Sequence, residues 1–190
     1  MAMRSVETLM QEHRVIERGL AVLETAGRKL AAGENLPLER VEGLLDFFRD
    51  FADGCHHAKE EGSLFPALEA RGVPRAGGPV GVMLAEHEEG RSYQRRLRQE
   101  LGRLGTDAGA SARFAETAAG YANLLRQHIL KEDQVLFRMA EQVLSPADDR
   151  RLVEEFERHE REVMGPEVHE RFHQLIQDLE RELGVGMSRG

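Results

Sequence analysis

Two stretches of this 190-residue chain carry the same order of metal-binding residue types. In the first, Glu12-His13 is followed by His56-His57-Ala58-Lys59-Glu60-Glu61-Gly62-Ser63-Leu64-Phe65. In the second, Glu86-His87 is followed by His128-Ile129-Leu130-Lys131-Glu132-Asp133-Gln134-Val135-Leu136-Phe137. The lone histidine precedes the H-x-x-x-E pair by 43 residues in one copy and 41 in the other. An imidazole binds a metal through one nitrogen, whereas a carboxylate has two oxygens and can bridge two metals. Two pairs and two single histidines make four imidazoles and two carboxylates. That is a nitrogen–oxygen set for two divalent ions such as Fe, Mn or Zn, with no thiolate among the donors. Two carboxylates against four positive charges leave room for a bridging oxide or hydroxide.

Helices must position these groups. On a helix, residues four apart leave one face about 6 Å from each other, so His128 and Glu132 reach the same side. Any single H-x-x-x-E pair is weak evidence in a chain with 34 acidic residues; the duplication is what makes the pattern specific. The first helix is expected over about residues 5–32, with Ser5 as N-cap and Gly33 at its end. His13 falls in its apolar series Val6, Leu9, Ile16, Leu20, Leu23 and Leu30. A second helix is expected from Pro37 to about residue 70, and a third over about 80–104. The fourth, over about 111–144, places His128 and Glu132 in phase with Phe114, Ala118, Tyr121, Leu125, Leu136, Met139 and Val143. Lone buried ionisable groups would cost several kcal/mol each, so their burial points to a shared partner. Ser145-Pro146 opens a fifth segment, about 146–183, broken at Gly165-Pro166. Four long helices with short links predict an all-α fold, an antiparallel up-down four-helix bundle over residues 1–144. Residues 145–190 are expected as a C-terminal helical extension packed on it.

The second helix offers two overlapping pairs, His56/Glu60 and His57/Glu61. Glu132 lies four residues before Leu136-Phe137, and only Glu60 lies four before Leu64-Phe65, so the internal repeat selects His56 and Glu60. That register leaves His57 dispensable for metal loading, with His57 and Glu61 as the alternative pair. Helical phase agrees weakly: the face of Leu44, Phe48, Phe51 and Cys55 lies about 100° from His56 and nearly opposite His57. A local helix distortion near Gly54 would resolve the remaining mismatch.

Composition excludes several classes. Hydrophobic residues make up 41% of the chain and charged residues 32%, a mixture that favours helix over sheet. A net charge of −8 gives no general attraction to nucleic acid or to an anionic membrane. One cysteine, Cys55, excludes an internal disulfide and a Cys-rich metal site; its expected role is buried packing. No run approaches about 18 consecutive apolar residues, and the start lacks the apolar run of a signal peptide. A cytoplasmic protein is expected.

In the order E-H, H-x-x-K-E-E-x-x-L-F-P, E-H, H-x-x-x-E-x-x-x-L-F, the chain resembles the hemerythrin-like family, the HHE cation-binding domain, over about residues 9–140. The resemblance implies a carboxylate-bridged, oxo- or hydroxo-bridged non-haem di-iron centre in a four-helix bundle. Carried over, His13, His56, His87 and His128 would be terminal ligands, with Glu60 and Glu132 bridging. Oxygen-carrying members use five histidines, two of them four apart on the third helix. Here that helix offers only His87, flanked at four residues by Met83 and Arg91. One iron would then keep an extra open position, which favours redox chemistry with O2, peroxide or nitric oxide.

The resemblance thus implies binding of O2 or nitric oxide for storage, sensing or delivery. An oxidoreductase acting on peroxide or nitric oxide, or a role in iron homeostasis, is the alternative. Iron–sulfur repair members carry an extra cysteine-bearing N-terminal region; the first helix begins almost at once here, an expectation against that role. His169 and His173 are four apart and could chelate a metal, although solvent-facing roles are commoner in so charged a segment. Glu170 and His173 form only one E-x-x-H element, and a ferritin-like centre needs two. Tyr121, seven residues before His128, is a candidate hydrogen-bond donor to the centre or a packing residue.

Overall fold

The computed structural model describes residues 3–186, which are all helix, turn and loop with no strand among them. The first helix, α1, spans Arg4–Ala31. The second rod begins with α2 (Leu38–Phe47) and continues without a break through π1 (Phe48–His57), π2 (Glu60–Leu64) and α3 (Phe65–Ala70). The third is α4 (Pro79–Leu101). The fourth runs through α5 (Ala110–Lys131), π3 (Glu132–Leu136) and α6 (Phe137–Val143). Two further helices follow, α7 (Pro146–Val163) and α8 (Pro166–Leu183). No helix among the described residues is long and apolar enough to cross a membrane.

Local chemistry explains the boundaries around α7. Ser145 caps α7 with a capping box, its hydroxyl accepting from the Asp148 N–H while the Asp148 carboxylate accepts from the Ser145 N–H. Gly165, at φ 73°, supplies the left-handed residue that separates α7 from α8. Ser5 is not the cap expected for α1. Met3 holds that position, and Ser5 is buried inside the helix with its hydroxyl donating to Asp149 at the start of α7.

Helix α1 packs on α5 and α2, and α4 packs on α5 and α2. Helices α7 and α8 both lie against α1, α7 also touching π1 and π2, and α8 touching α2. Two apolar clusters form the core. One gathers Leu20, Leu23, Phe47, Phe48, Phe51, Phe114 and Tyr121; the other gathers Leu9, Leu64, Phe65, Met83, Leu136 and Phe137. The buried histidines of all four rods, with Glu12, Lys59, Glu60 and Glu132, fall between them. Along α1 and α4 the chain runs from the second cluster to the first, and along the second and fourth rods from the first to the second. A polar layer held between two apolar plugs is shut off from water at both ends.

The π segments are what bring the second rod into register. Bonding from i to i+5 puts more residues in each turn, so consecutive side chains diverge less than the 100° of an α-helix. The distortion expected near Gly54 is present as π1, which contains it. The sequence pattern did not reveal two others, π2 and π3, which begin at Glu60 and Glu132, the equivalent glutamates of the two repeats.

Candidate metal centre

Seven buried side chains converge in the polar layer: His13 from α1, His56, His57 and Glu60 from the second rod, His87 from α4, and His128 and Glu132 from the fourth. Two groups of four share Glu60. His13, His56, Glu60 and Glu132 form one, and His57, Glu60, His87 and His128 the other, with the donor atoms of each within 4.8 Å of one another. All six residues selected by the repeat are brought together. The fold does not choose between His56 and His57: both imidazoles, carried on π1, are buried in the layer. Glu61 belongs to neither group.

Each imidazole is oriented by a carboxylate. His13 Nδ1–H donates to Asp133 at 2.7 Å, His56 Nδ1–H to Glu12 at 2.8 Å and His57 Nδ1–H to Asp53 at 3.3 Å. His87 Nδ1–H donates to Glu61 at 2.7 Å and His128 Nδ1–H to Glu86 at 3.0 Å. A carboxylate only accepts, so in every case Nδ1 carries a proton and Nε2 faces the centre. His87 Nε2 and His128 Nε2 are 3.1 Å apart, a hydrogen bond in which His128 is the donor; burial would lower His128, but Glu132 and Glu86 raise it to about 9. Each of these carboxylates is in turn held by a cation: Glu12 by Lys59, Glu86 by Lys131, Asp133 by Arg14, and Asp53 and Glu61 by Arg91.

The repeat therefore extends beyond the candidate ligands. Within each half, the glutamate before the lone histidine holds the histidine of the H-x-x-x-E pair. Between halves, the acid after the inner glutamate holds the other half's lone histidine. The Phe of each Leu-Phe step follows the same crossing, Phe137 stacking on His13 at 5.4 Å and Phe65 on His87 at 5.8 Å. His57 and Asp53 have no counterpart, since the equivalent positions are Ile129 and Leu125. They break the symmetry and split the five imidazoles into two and three.

The centre is electrostatically unfinished as protein alone. His13 Nε2, His56 Nε2 and all four oxygens of Glu60 and Glu132 are buried without a hydrogen-bond partner. His13 Nε2 and His128 Nε2 each lie 3.2 Å from Glu132, a contact but not an aligned hydrogen bond. Leaving so many buried polar atoms unpaired would cost about 1–3 kcal/mol each. Divalent cations at the two groups would satisfy them at once, so the residues fit metal. Burial, together with the charge of Glu132, pushes the Glu60 carboxyl well up. Burial acts the same way on Glu132, but His128 and His13 outweigh it and hold that carboxyl well down. Burial lowers His56 to about 3, and burial with the adjacent His57 lowers His87 to about 3. Both are neutral bases ready to coordinate.

The remaining candidates lie elsewhere. Tyr121 is wholly buried in the first apolar cluster, where its hydroxyl accepts from Gln94 at 3.0 Å; it bonds to none of the five histidines. His169 and His173 sit on α8 against Phe51 and are in neither group. Cys55 is buried, as expected. Sequence reasoning assigned no role to Glu12, Asp53, Glu86 and Asp133. For three of them a signal was present, since each recurs beside a candidate ligand in both repeats; for Asp53 there was none.

The Hemerythrin HHE cation binding domain matches residues 4–140. An uncharacterized protein of Mycobacterium tuberculosis is 28% identical over 180 residues, covering 94% of this chain and 70% of the relative. One of Mycobacterium bovis matches at the same identity and coverage. The iron-sulfur cluster repair protein DnrN of Neisseria gonorrhoeae is 32% identical over 140 residues, 70% of this chain and 87% of that protein.

Proposed function

Because the chain belongs to the hemerythrin family of HHE cation-binding domains, we propose that it holds two iron ions and binds a small diatomic ligand, O2 or nitric oxide, at one of them. In this reading His13 and His56 serve one iron, His57, His87 and His128 serve the other, and Glu60 and Glu132 bridge them beside an oxo or hydroxo group. Mn or Zn could substitute in the same donor set. The rods form an antiparallel four-helix bundle, a reading supported by their alternating order between the two apolar clusters and by their short connections.

The two-against-three division of imidazoles carries the proposal. If Glu60 and Glu132 were both shared between the metals, the iron served by two histidines would have one more open position than its neighbour. When bound, the metals supply that open position and the one-electron steps a diatomic ligand requires. The protein's part is to fix five Nε2 lone pairs on the centre, keep the Nδ1 protons on carboxylates, and exclude water with the two apolar clusters. A site with four imidazoles would lean towards turnover of peroxide or nitric oxide; a fifth restores the balance towards reversible binding. A second reading, iron delivery, is supported by the similarity to a protein named for iron–sulfur cluster repair.

Anaerobic reduction of the iron-loaded protein, then exposure to O2 or nitric oxide, tests the choice. The expected result is an optical spectrum that is stable and reverses under vacuum. Rapid autoxidation with consumption of added peroxide would replace this reading with the oxidoreductase. Loss of iron to a chelator within minutes would replace it with delivery.

A further inference from the structure

Outside the centre, the described residues hold one more group of metal-type donors. Glu12 of α1, Glu160 of α7 and His169 of α8 bring ligand atoms within 4.8 Å of one another. They line a solvent-open cavity of about 190 Å³ together with Thr8, Gln11 and His173. His169 Nε2 lies 4.0 Å from Glu160 Oε1, and the His169 and His173 rings are 4.7 Å apart. Donors around one ion at about 2.1 Å stand roughly 3–4 Å from each other, so small side-chain movements would close this set on a cation. We propose that this cavity is a separate, exchangeable site for a first-row divalent cation, bound by Glu12, Glu160 and His169 with His173 beside them.

Two features give the site its character. It is assembled from three helices, so it exists only where α7 and α8 dock on α1. It is also joined to the centre through Glu12, whose Oε2 accepts the Nδ1 proton of His56. Lys59 competes for the same carboxylates, paired with Glu12 Oε1 and 3.7 Å from Glu160 Oε2. Its positive charge sets the affinity below that of the centre. A cation held here is open to solvent on one side and one residue from the buried ligands on the other, as a loading or exchange position requires.

The test uses the full chain loaded with iron, dialysed against dilute Zn2+ and then analysed for both metals. The expected result is one zinc per chain bound in addition to an unchanged iron content. Glu160→Gln and His169→Ala, both on partly exposed side chains, should each weaken zinc binding at least tenfold and leave the iron untouched. Three results would overturn the site: no additional zinc, zinc bound equally well by both variants, or zinc gained only as iron is lost. Failure to retain iron in the unaltered protein would count against the two-iron centre instead, since zinc at the cavity is scored separately.

Discussion

His56 and His57 are consecutive in the chain, yet both imidazoles enter the same buried layer, their ring centroids 5.7 Å apart and their planes at 55°. His57 stacks on His87 at 3.8 Å and His56 meets His13 edge-on at 4.7 Å. The two neighbours thus serve opposite sides of the centre. The π1 hydrogen-bond pattern makes this possible, and His159 of α7 supports it by donating to the Gly54 carbonyl at 3.1 Å.

His57→Ala should therefore reduce metal retention selectively. Metal analysis is expected to give about one tightly held iron per chain instead of two, with His128→Ala showing a comparable loss. Two irons retained by His57→Ala through chelator treatment would return the centre to four histidines.

The lysine–glutamate pairs of the two repeats differ in burial. Lys59 is 1% exposed beneath Phe156, whereas the Lys131 side chain is 41% exposed. Glu12→Gln and Glu86→Gln should each lower metal affinity about 10–100-fold, because each frees the imidazole its carboxylate orients. Their effect on the metal-free fold should diverge. Glu12→Gln leaves the buried Lys59 ammonium with only Glu160 at 3.7 Å and should destabilise by about 3 kcal/mol, while Glu86→Gln should cost less than about 1 kcal/mol. Denaturant melts of both chelated variants would show it; equal losses would contradict the burial argument.

Burial pushes the Cys55 thiol up to about 11. The thiolate is the reactive form, so its fraction falls tenfold for each pH unit below that value. Alkylation of the folded protein at pH 8 should be far slower than in denaturant and should rise towards pH 11. Fast labelling of folded protein at pH 8 would argue for a reactive cysteine beside the centre.

A β-carbon at Gly19 would stand 2.6 Å from Phe47 Cε1, a ring packed between Phe48, Phe51 and Phe172. Gly19→Ala gains about 1 kcal/mol of helix propensity, against about 1–3 kcal/mol for overpacking. A net loss of about 1 kcal/mol in a denaturant melt is expected, with iron content unchanged. A stabilised variant would mean that the Phe47 ring yields.

Much of the centre was legible because its chemistry is local. An H-x-x-x-E spacing puts two donors on one helical face whatever surrounds it, and the repeat picked out Glu60 and Glu132 through their distance to Leu64-Phe65 and Leu136-Phe137. The lone histidines could be read because His13 sits among apolar residues spaced for burial. Glu61 and Asp133 were harder, since each orients a histidine from the opposite half. Such a partnership depends on how rods pack rather than on spacing within one.

What the chain determined by itself is the inventory: all helix, two copies of a donor pattern, and three of its six groups (His13, His128 and Glu132) spaced for burial and in need of a partner. Residue types and helical periodicity suffice for that, because both act within a few turns. What the tertiary structure decided is the burial of a fifth imidazole in the same layer. Whether His57 faces inward depends on the i-to-i+5 bonding of π1, which is sustained by contacts with α1, α4 and α7. A helix read alone has a 100° step between neighbours and must choose between His56 and His57; packed among the other rods, it presents both.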